Sequence, residues 1–355
     1  MFFLEVRVFA APSRPHTKWG VAVAFGAAGS LVVVLIVLAF LWPTKTSAAH
    51  DLPVGIAGPE ATVSAFEDAL GEQGVTTFDF VAADDREDAV SQIETRETYG
   101  AIVFSDTGMP EVLTAPAASS TAASLLTSVA SQLQAQLAQQ IAAAGGDAST
   151  AQVTVTSVVS LSDTDSTGAG LAAASFPMML GGMLGGVLVS LLVVGAVRRL
   201  AALAGFAVTA GLLITLVMQG WFEYLQGDFW LNALAIGLSV LATSSFVVGW
   251  ASLLGSPGIG IGAVVTVLFA NPLSAASTPW QFLAQPWGQI GQFFVPGASN
   301  WLIRSLSYFP AADDSQQWWT LIGWVALGVV LTLIGHFRAR ATMHVPPATL
   351  EAATA

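Results

Sequence analysis

Four histidines, His16, His50, His336 and His344, lie scattered along the 355 residues with no spacing that would let two of them hold one metal ion. The chain has no cysteine, which removes disulfides, thiolate metal sites and cysteine nucleophiles. Its two lysines, Lys18 and Lys45, lack the preceding glycines of a phosphate-binding loop, so the chain is expected not to hydrolyse ATP by itself. The run Gly258-Ile259-Gly260-Ile261-Gly262 superficially resembles a dinucleotide turn, yet it sits inside an apolar stretch without a flanking strand or an acidic partner. Asp163, Asp165 and Gly168 echo a calcium loop that lacks its closing glutamate and read as solvated linker. A hydrolase triad has no support, because His50 is the only histidine in the acidic middle of the chain. The expectation is therefore no enzyme, no cofactor and no metal.

What remains are residues suited to packing and orientation. Gly181, Gly182, Gly185 and Gly186 contain two overlapping G-x-x-x-G spacings, which let a second helix approach the backbone closely, and Gly258, Gly260 and Gly262 supply small residues in another apolar run. Packing within one chain and packing across a dimer both fit. A proton- or sodium-coupled carrier usually keeps an ionisable residue at depth; here Glu223 and His336 fall at the edges of apolar runs, which disfavours secondary transport and leaves a coupling site of Ser244, Ser245, Thr266 and Asn271 as its remaining form.

The elements that carry these residues are set by hydropathy. Hydrophobic residues make up 54% of the chain and charged ones 10%, with a mean hydropathy of +0.69, far from a soluble domain. Apolar runs long enough to cross a bilayer as helix are expected at 19–42, 171–197, 200–218, 231–254 and 318–335, with a short glycine-rich run at 258–270 as a sixth span. The first of these reads as a retained signal anchor, being longer than a cleavable signal's apolar core. The fold class expected is a polytopic α-helical membrane protein with six transmembrane helices and an extracytoplasmic α/β domain between the first two. The lipid bilayer is its first partner.

Charge chooses the orientation. Arg7, Arg14 and Lys18 precede the first span, Arg198 and Arg199 separate the second from the third, and Arg338 and Arg340 follow the last. All seven fall on one face of a six-span topology, and the positive-inside rule makes that face cytoplasmic. Segments 1–18 and 338–355 then lie in the cytoplasm. Seventeen of the 23 acidic residues lie between Pro43 and Gly170, against Lys45, Arg86 and Arg96. The net charge of -12 is thus mostly a property of that segment; it argues for its solubility and against nucleic acid as a partner.

Within 43–170, strand-like runs at 52–57, 77–82 and 100–105, a short one at 112–113, and helical patterns at 60–72 and 84–98 alternate as in a small α/β unit. A long helix follows at 119–144, with Leu126, Val129, Leu133, Leu137 and Ile141 on one face; it either packs on its own domain or pairs with a second subunit. Residues 153–161 are β-rich and lead back to the membrane. In the five-helix half (171–337), the segment 271–317 is broken by Pro272, Pro279, Pro286 and Pro296, yet rich in rings such as Trp280 and Trp287. A re-entrant or surface-lying pair of short helices fits it, covered by protein or lying at the interface.

One span, a large domain and five closing spans together resemble the permease subunit of ABC-2 type exporters, particularly the YhgE/Pip (phage infection protein) branch. The parts that carry the resemblance are Leu52 to Ala57, Ala89 to Phe104, Phe176 to Gly182 and Pro286 to Gly297, the last including Trp287, Pro296 and Gly297. It implies an export permease of the plasma membrane, working as a homo- or heterodimer, with the second and fifth spans near the two-fold axis and a separate cytoplasmic ATPase as motor. Coupling to that ATPase would fall to the basic turn at Arg198 and Arg199, which is shorter than the coupling helix usual in such permeases. The alternative is a non-catalytic envelope scaffold or receptor that presents its outer domain to a partner.

Overall fold

The computed structural model describes residues 17–72, 74, 76–105 and 109–339. Arg7, Arg14 and Arg340, and all but the ends of segments 1–18 and 338–355, lie outside the described residues.

The chain enters through α1 (Trp19–Thr46), whose side chains are exposed along most of its length. The α/β domain follows in the alternation expected: β1 (Leu52–Ala57), α2 (Glu60–Glu72), β2 (Phe78–Ala82), α3 (Arg86–Glu94), β3 (Gly100–Phe104), β4 (Pro110–Thr114), α4 (Ser120–Ala143) and β5 (Thr154–Ser157). The strands form one sheet in the order β2-β1-β3-β4-β5, parallel except for the β3-β4 hairpin. Leu52, Val54, Ile102, Val112 and Leu113 are fully buried, as expected for strands covered on both faces by crossover helices. At Gly55 and Gly100 the sheet meets its helices at close range. Gln92 of α3 lies against the first, while Leu126 of α4 occupies the space a Cβ would take at the second.

Helix α3 is shorter than the pattern at 84–98 suggests. Asp85 accepts from the backbone N–H groups of Glu87 and Asp88 and so starts it. Beyond Glu94, the backbone at Arg96 adopts the left-handed conformation, with φ 64°. In α4 the first half buries Ala122, Leu126 and Ala130. Val129 and Leu133 pack half-buried on the same core, so at that end the helix packs on its own domain.

Five described helices are long and apolar enough to cross a membrane: α1, α5 (Ala169–Leu192), α6 (Ala196–Thr215, continued by a π-helical turn over Leu216–Trp221), α7 (Phe229–Leu254) and α11 (Ser315–Ala339). The architecture fits a polytopic helical membrane protein. The expected sixth span, 258–270, is α8 (Ser256–Val264) continued by a π-helical turn over Val265–Ala270. Together these make an apolar helix of fewer than 18 residues, shorter than the roughly 20 residues a bilayer requires.

Helix α7 is the hub, mostly buried and ringed by α5, α6, α8 and α11. Glycines permit that crowding: Gly211 of α6 lies against the backbone of Ala233 and Gly237, and Gly328 of α11 against that of Ser245. After the π-helical turn the chain folds back through a 3₁₀ turn (Trp280–Phe282), α9 (Trp287–Gly291) and α10 (Val295–Tyr308). Helix α10 inserts among α5, α7 and α11 and buries Ala298, Leu302 and Ile303. Phe282 and Phe309, from either side of this segment, join the core of the α/β domain. The two halves therefore share one hydrophobic contact region.

Lys18, Arg198, Arg199 and Arg338 all lie at the end of the helices away from the α/β domain. At the near end, Ala48 N–H donates to the carbonyl of Phe282. At the far end, Arg199 donates to Ser252 Oγ and Gly335 lies against the Ser252 backbone.

Candidate functional site

A cavity of about 330 Å³ lies where the α/β domain meets the segment between α8 and α11. Its cationic wall comes from two elements far apart in sequence: Arg96, from the turn after α3, and Arg304, from α10. Arg96 Nη1 donates to the carbonyl of Trp301 (3.0 Å) and to Ser305 Oγ (2.6 Å), which ties the α/β domain to α10. Its guanidinium lies 3.6 Å from the centroid of the Trp301 ring and 5.1 Å from that of Phe309. Arg304 Nη1 donates to the carbonyl of Ala117 (2.8 Å) at the start of α4. Tyr99, also in the wall, donates from its hydroxyl to Gln281 Oε1 (3.2 Å).

Electrostatics here are unusual for arginine. Among the described residues the ion pairs are His50 with Asp51 and Arg86 with Glu111, and neither cavity arginine is in one. Among the described residues no Asp or Glu lines the cavity. Burial pulls the Arg96 guanidinium down to about 9, still above neutral pH, and the nearby charge of Arg304 pushes the same way; burial likewise lowers Arg304. Asp165 and Asp314 act on them only from beyond ion-pair distance. Asp165 is engaged at the start of α5, accepting from the backbone N–H groups of Gly170 and Leu171. Burial raises the pKa of Asp314. Gln292 and Asn300 stand in the same wall with side-chain N–H groups that have no partner among the described residues, the Asn300 oxygen being taken by Ser175 Oγ. The wall is thus rich in donors and poor in acceptors.

A second, more open cavity of about 530 Å³ adjoins the first, with residues 274–278 lining both. Phe40 and Pro43 of α1 and Phe176 of α5 make its apolar side. The Phe40 and Phe176 rings meet edge to face at 6.3 Å.

Of the residues singled out by sequence, the glycines are mostly occupied inside the chain. Gly182 and Gly186 lie against α7, at Thr243 and Ser244, and Gly185 lies against the ring of Phe206 in α6. Gly258 and Gly262 lie against Trp250 and Val247 of α7, whereas Gly181 and Gly260 face open space. The basic turn divides in two. Arg199 donates to the carbonyls of Val193 and Ser190, both at 2.9 Å, and to Ser252 Oγ at 2.8 Å, closing the C-terminus of α5; Arg198 is exposed. Trp280 and Gly297 line the junction cavity, and Pro296 is buried at the start of α10. Pro286 follows a cis peptide bond, and Trp287 meets Trp42 of α1 edge to face at 6.2 Å. Ser244 and Ser245 donate to the carbonyls of Leu241 and Ala242 in their own helix.

Sequence reasoning missed Arg304 and used Arg96 only as part of a charge count. A signal was available: of the 11 basic residues, Arg304 is the one in the apolar half that the orientation rule does not use. Set against protein-family models, curated proteins and solved structures, the chain matches none.

Proposed function

We propose that this chain is the permease subunit of an ABC-2 type exporter, moving its cargo out of the cytoplasm or inner leaflet with a separate ATPase as motor. In this reading it sits in the plasma membrane with both termini cytoplasmic and the α/β domain outside. The observation that carries it is the route between α8 and α11. The chain stops short of a full span, turns back through Pro286 to Gly297, the stretch that carried part of the family resemblance, and sends α10 part-way into the bundle beside α7. Gly288, Gly291, Gln292 and Val295 to Gly297 of that stretch are buried against the protein, while Trp287, Ile290 and Phe293 stay exposed, rings and apolar side chains suited to the membrane interface. The orientation is supported by Lys18, Arg198, Arg199 and Arg338 lying at the end away from the α/β domain. Arg198, exposed beside the structural Arg199, is the side chain left free to meet an ATPase. Gly181 and Gly260, which meet nothing among the described residues, mark faces on which a second subunit would pack.

Affinity isolation of the detergent-solubilised chain from its own cells tests the proposal. A nucleotide-binding subunit is expected to co-isolate, and Arg198→Gln to weaken that association with topology unchanged. Crosslinking in cells that finds no nucleotide-binding partner, while the α/β domain captures an envelope protein or phage component, would make the scaffold or receptor reading the better account.

A further inference from the structure

We propose that the junction cavity is a binding site for a phosphate-type oxyanion, held between the guanidiniums of Arg96 and Arg304. Two cations stand in one wall, without an ion pair and without a carboxylate among the lining residues. Bringing two like charges into a partly desolvated space is unfavourable unless an opposite charge joins them. The donors left over fit an acceptor-only ligand. Arg96 uses only Nη1 and Arg304 only Nη1 in hydrogen bonds to the protein, and a guanidinium offers further N–H donors and no acceptor. Its planar fork matches the spacing of phosphate oxygens. Ser119, Ser120 and Thr278 add hydroxyls to the lining.

The backbone at Arg96 strengthens the case. A left-handed conformation is one that glycine or asparagine adopts at least cost, and an arginine there goes against local preference. Such departures from local rules cluster at sites with a function. The volume, about 330 Å³, is at the lower end of small-ligand pockets and holds a phosphate or a compact phosphorylated headgroup. Since the adjoining cavity has an apolar side made by Phe40 and Pro43 of α1 and Phe176 of α5, an acyl chain could lie there with its phosphate at the arginines. A free phosphate and a phospholipid headgroup share the chemistry, and the experiment separates them. The inference does not depend on the transport reading, because binding is measured on the purified chain without any ATPase.

In one arm, inorganic phosphate is titrated into the full-length chain in an uncharged detergent at constant ionic strength, with binding read by calorimetry. In the other, the chain is reconstituted with phosphatidylglycerol, re-extracted, and its retained lipid counted by native mass spectrometry, with diacylglycerol as the control without phosphate. Saturable phosphate binding that weakens about tenfold or more in Arg304→Gln would identify a free anion. Retention of phosphatidylglycerol over diacylglycerol, lost in the same variant, would identify a lipid headgroup. Should Arg304→Gln not fold, Ala276→Trp decides, since it keeps both guanidiniums and narrows the space where the two cavities adjoin. Failure of the wild-type chain to bind either probe, or equal binding by wild type and the folded variants, overturns the proposal.

Discussion

The guanidinium of Arg96 lies 3.6 Å from the centroid of the Trp301 indole, so a side chain of the α/β domain rests on a ring of the helix that folds back into the bundle. A desolvated cation–π contact is worth about 2 kcal/mol. The same guanidinium donates to Trp301 O and Ser305 Oγ. Arg96→Gly would relieve a left-handed backbone worth roughly 1–2 kcal/mol but forfeit all three contacts. A net loss of stability is expected, seen as a lower melting temperature in detergent. Trp301→Leu should move it in the same direction, and an unchanged melt for both variants would show that the junction does not depend on this pair.

The glycines at the start of the membrane half are expected to behave unequally. Gly186→Leu drives a side chain into the Ser244 backbone of α7, and overpacking of this kind costs about 1–3 kcal/mol. At Gly181 an added Cβ meets nothing among the described residues, so Gly181→Leu should leave the thermal stability of the monomer unchanged. If Gly181→Leu nonetheless lowers dimer content in a crosslinking assay, the face it marks is the one a second subunit covers.

Arg86 and Glu111 form a two-pronged pair, Nε to Oε2 at 2.7 Å and Nη2 to Oε1 at 2.9 Å, with Thr156 also donating to Glu111. The Arg86 hydrogen bond is the main reason the Glu111 carboxyl titrates below its ordinary value. A lowered folded-state pKa means that this stabilisation is complete at neutral pH and disappears as pH falls through the folded value, below the usual glutamate range. Arg86 is half exposed, so the pair is worth only about 0.2–1 kcal/mol. Arg86→Gln should speed hydrogen exchange in β4 and β5 at pH 7, and the difference from wild type should vanish in acid.

Because the native chain has no cysteine, single cysteines report sidedness directly. Cysteine at Ser64, exposed on α2, is expected to react with an impermeant thiol reagent on intact cells, as are cysteines at Asp228 and Ser315. One at Val194, exposed in the turn before Arg198, should react only after the membrane is broken. Labelling of Val194→Cys in intact cells would reverse the orientation.

Arg199 and Arg198 make the last prediction. Arg199→Gln uncovers the carbonyls of Ser190 and Val193 at the end of α5, and an exposed helix end with lost charge-assisted hydrogen bonds costs about 1.5–3 kcal/mol. A lower melting temperature is expected for Arg199→Gln and none for Arg198→Gln. Equal melts would mean that the two bases share one role.

The α/β domain was legible in the sequence because its strands alternate with helical patterns at short range, and Leu52 to Ala57 and Gly100 to Phe104 fell where that alternation put them. Hydropathy likewise located five helices long and apolar enough to cross a membrane, since the partition of roughly 20 apolar residues into lipid is a property of the segment alone. The reach of the 258–270 run was not legible: its composition is that of a span, but its helix is too short and the chain turns back. Spacing also marked the glycines as contact points without saying what they contact. That is set by which helix lies opposite, here mostly α7. Local pattern thus determined the membrane-embedded helices, the α/β domain and the concentration of acid within it. Tertiary structure alone decided that Arg96 and Arg304 share a cavity without a carboxylate, because an electrostatic environment depends on distance through space, and no short-range periodicity in the chain records which distant residues folding will bring together.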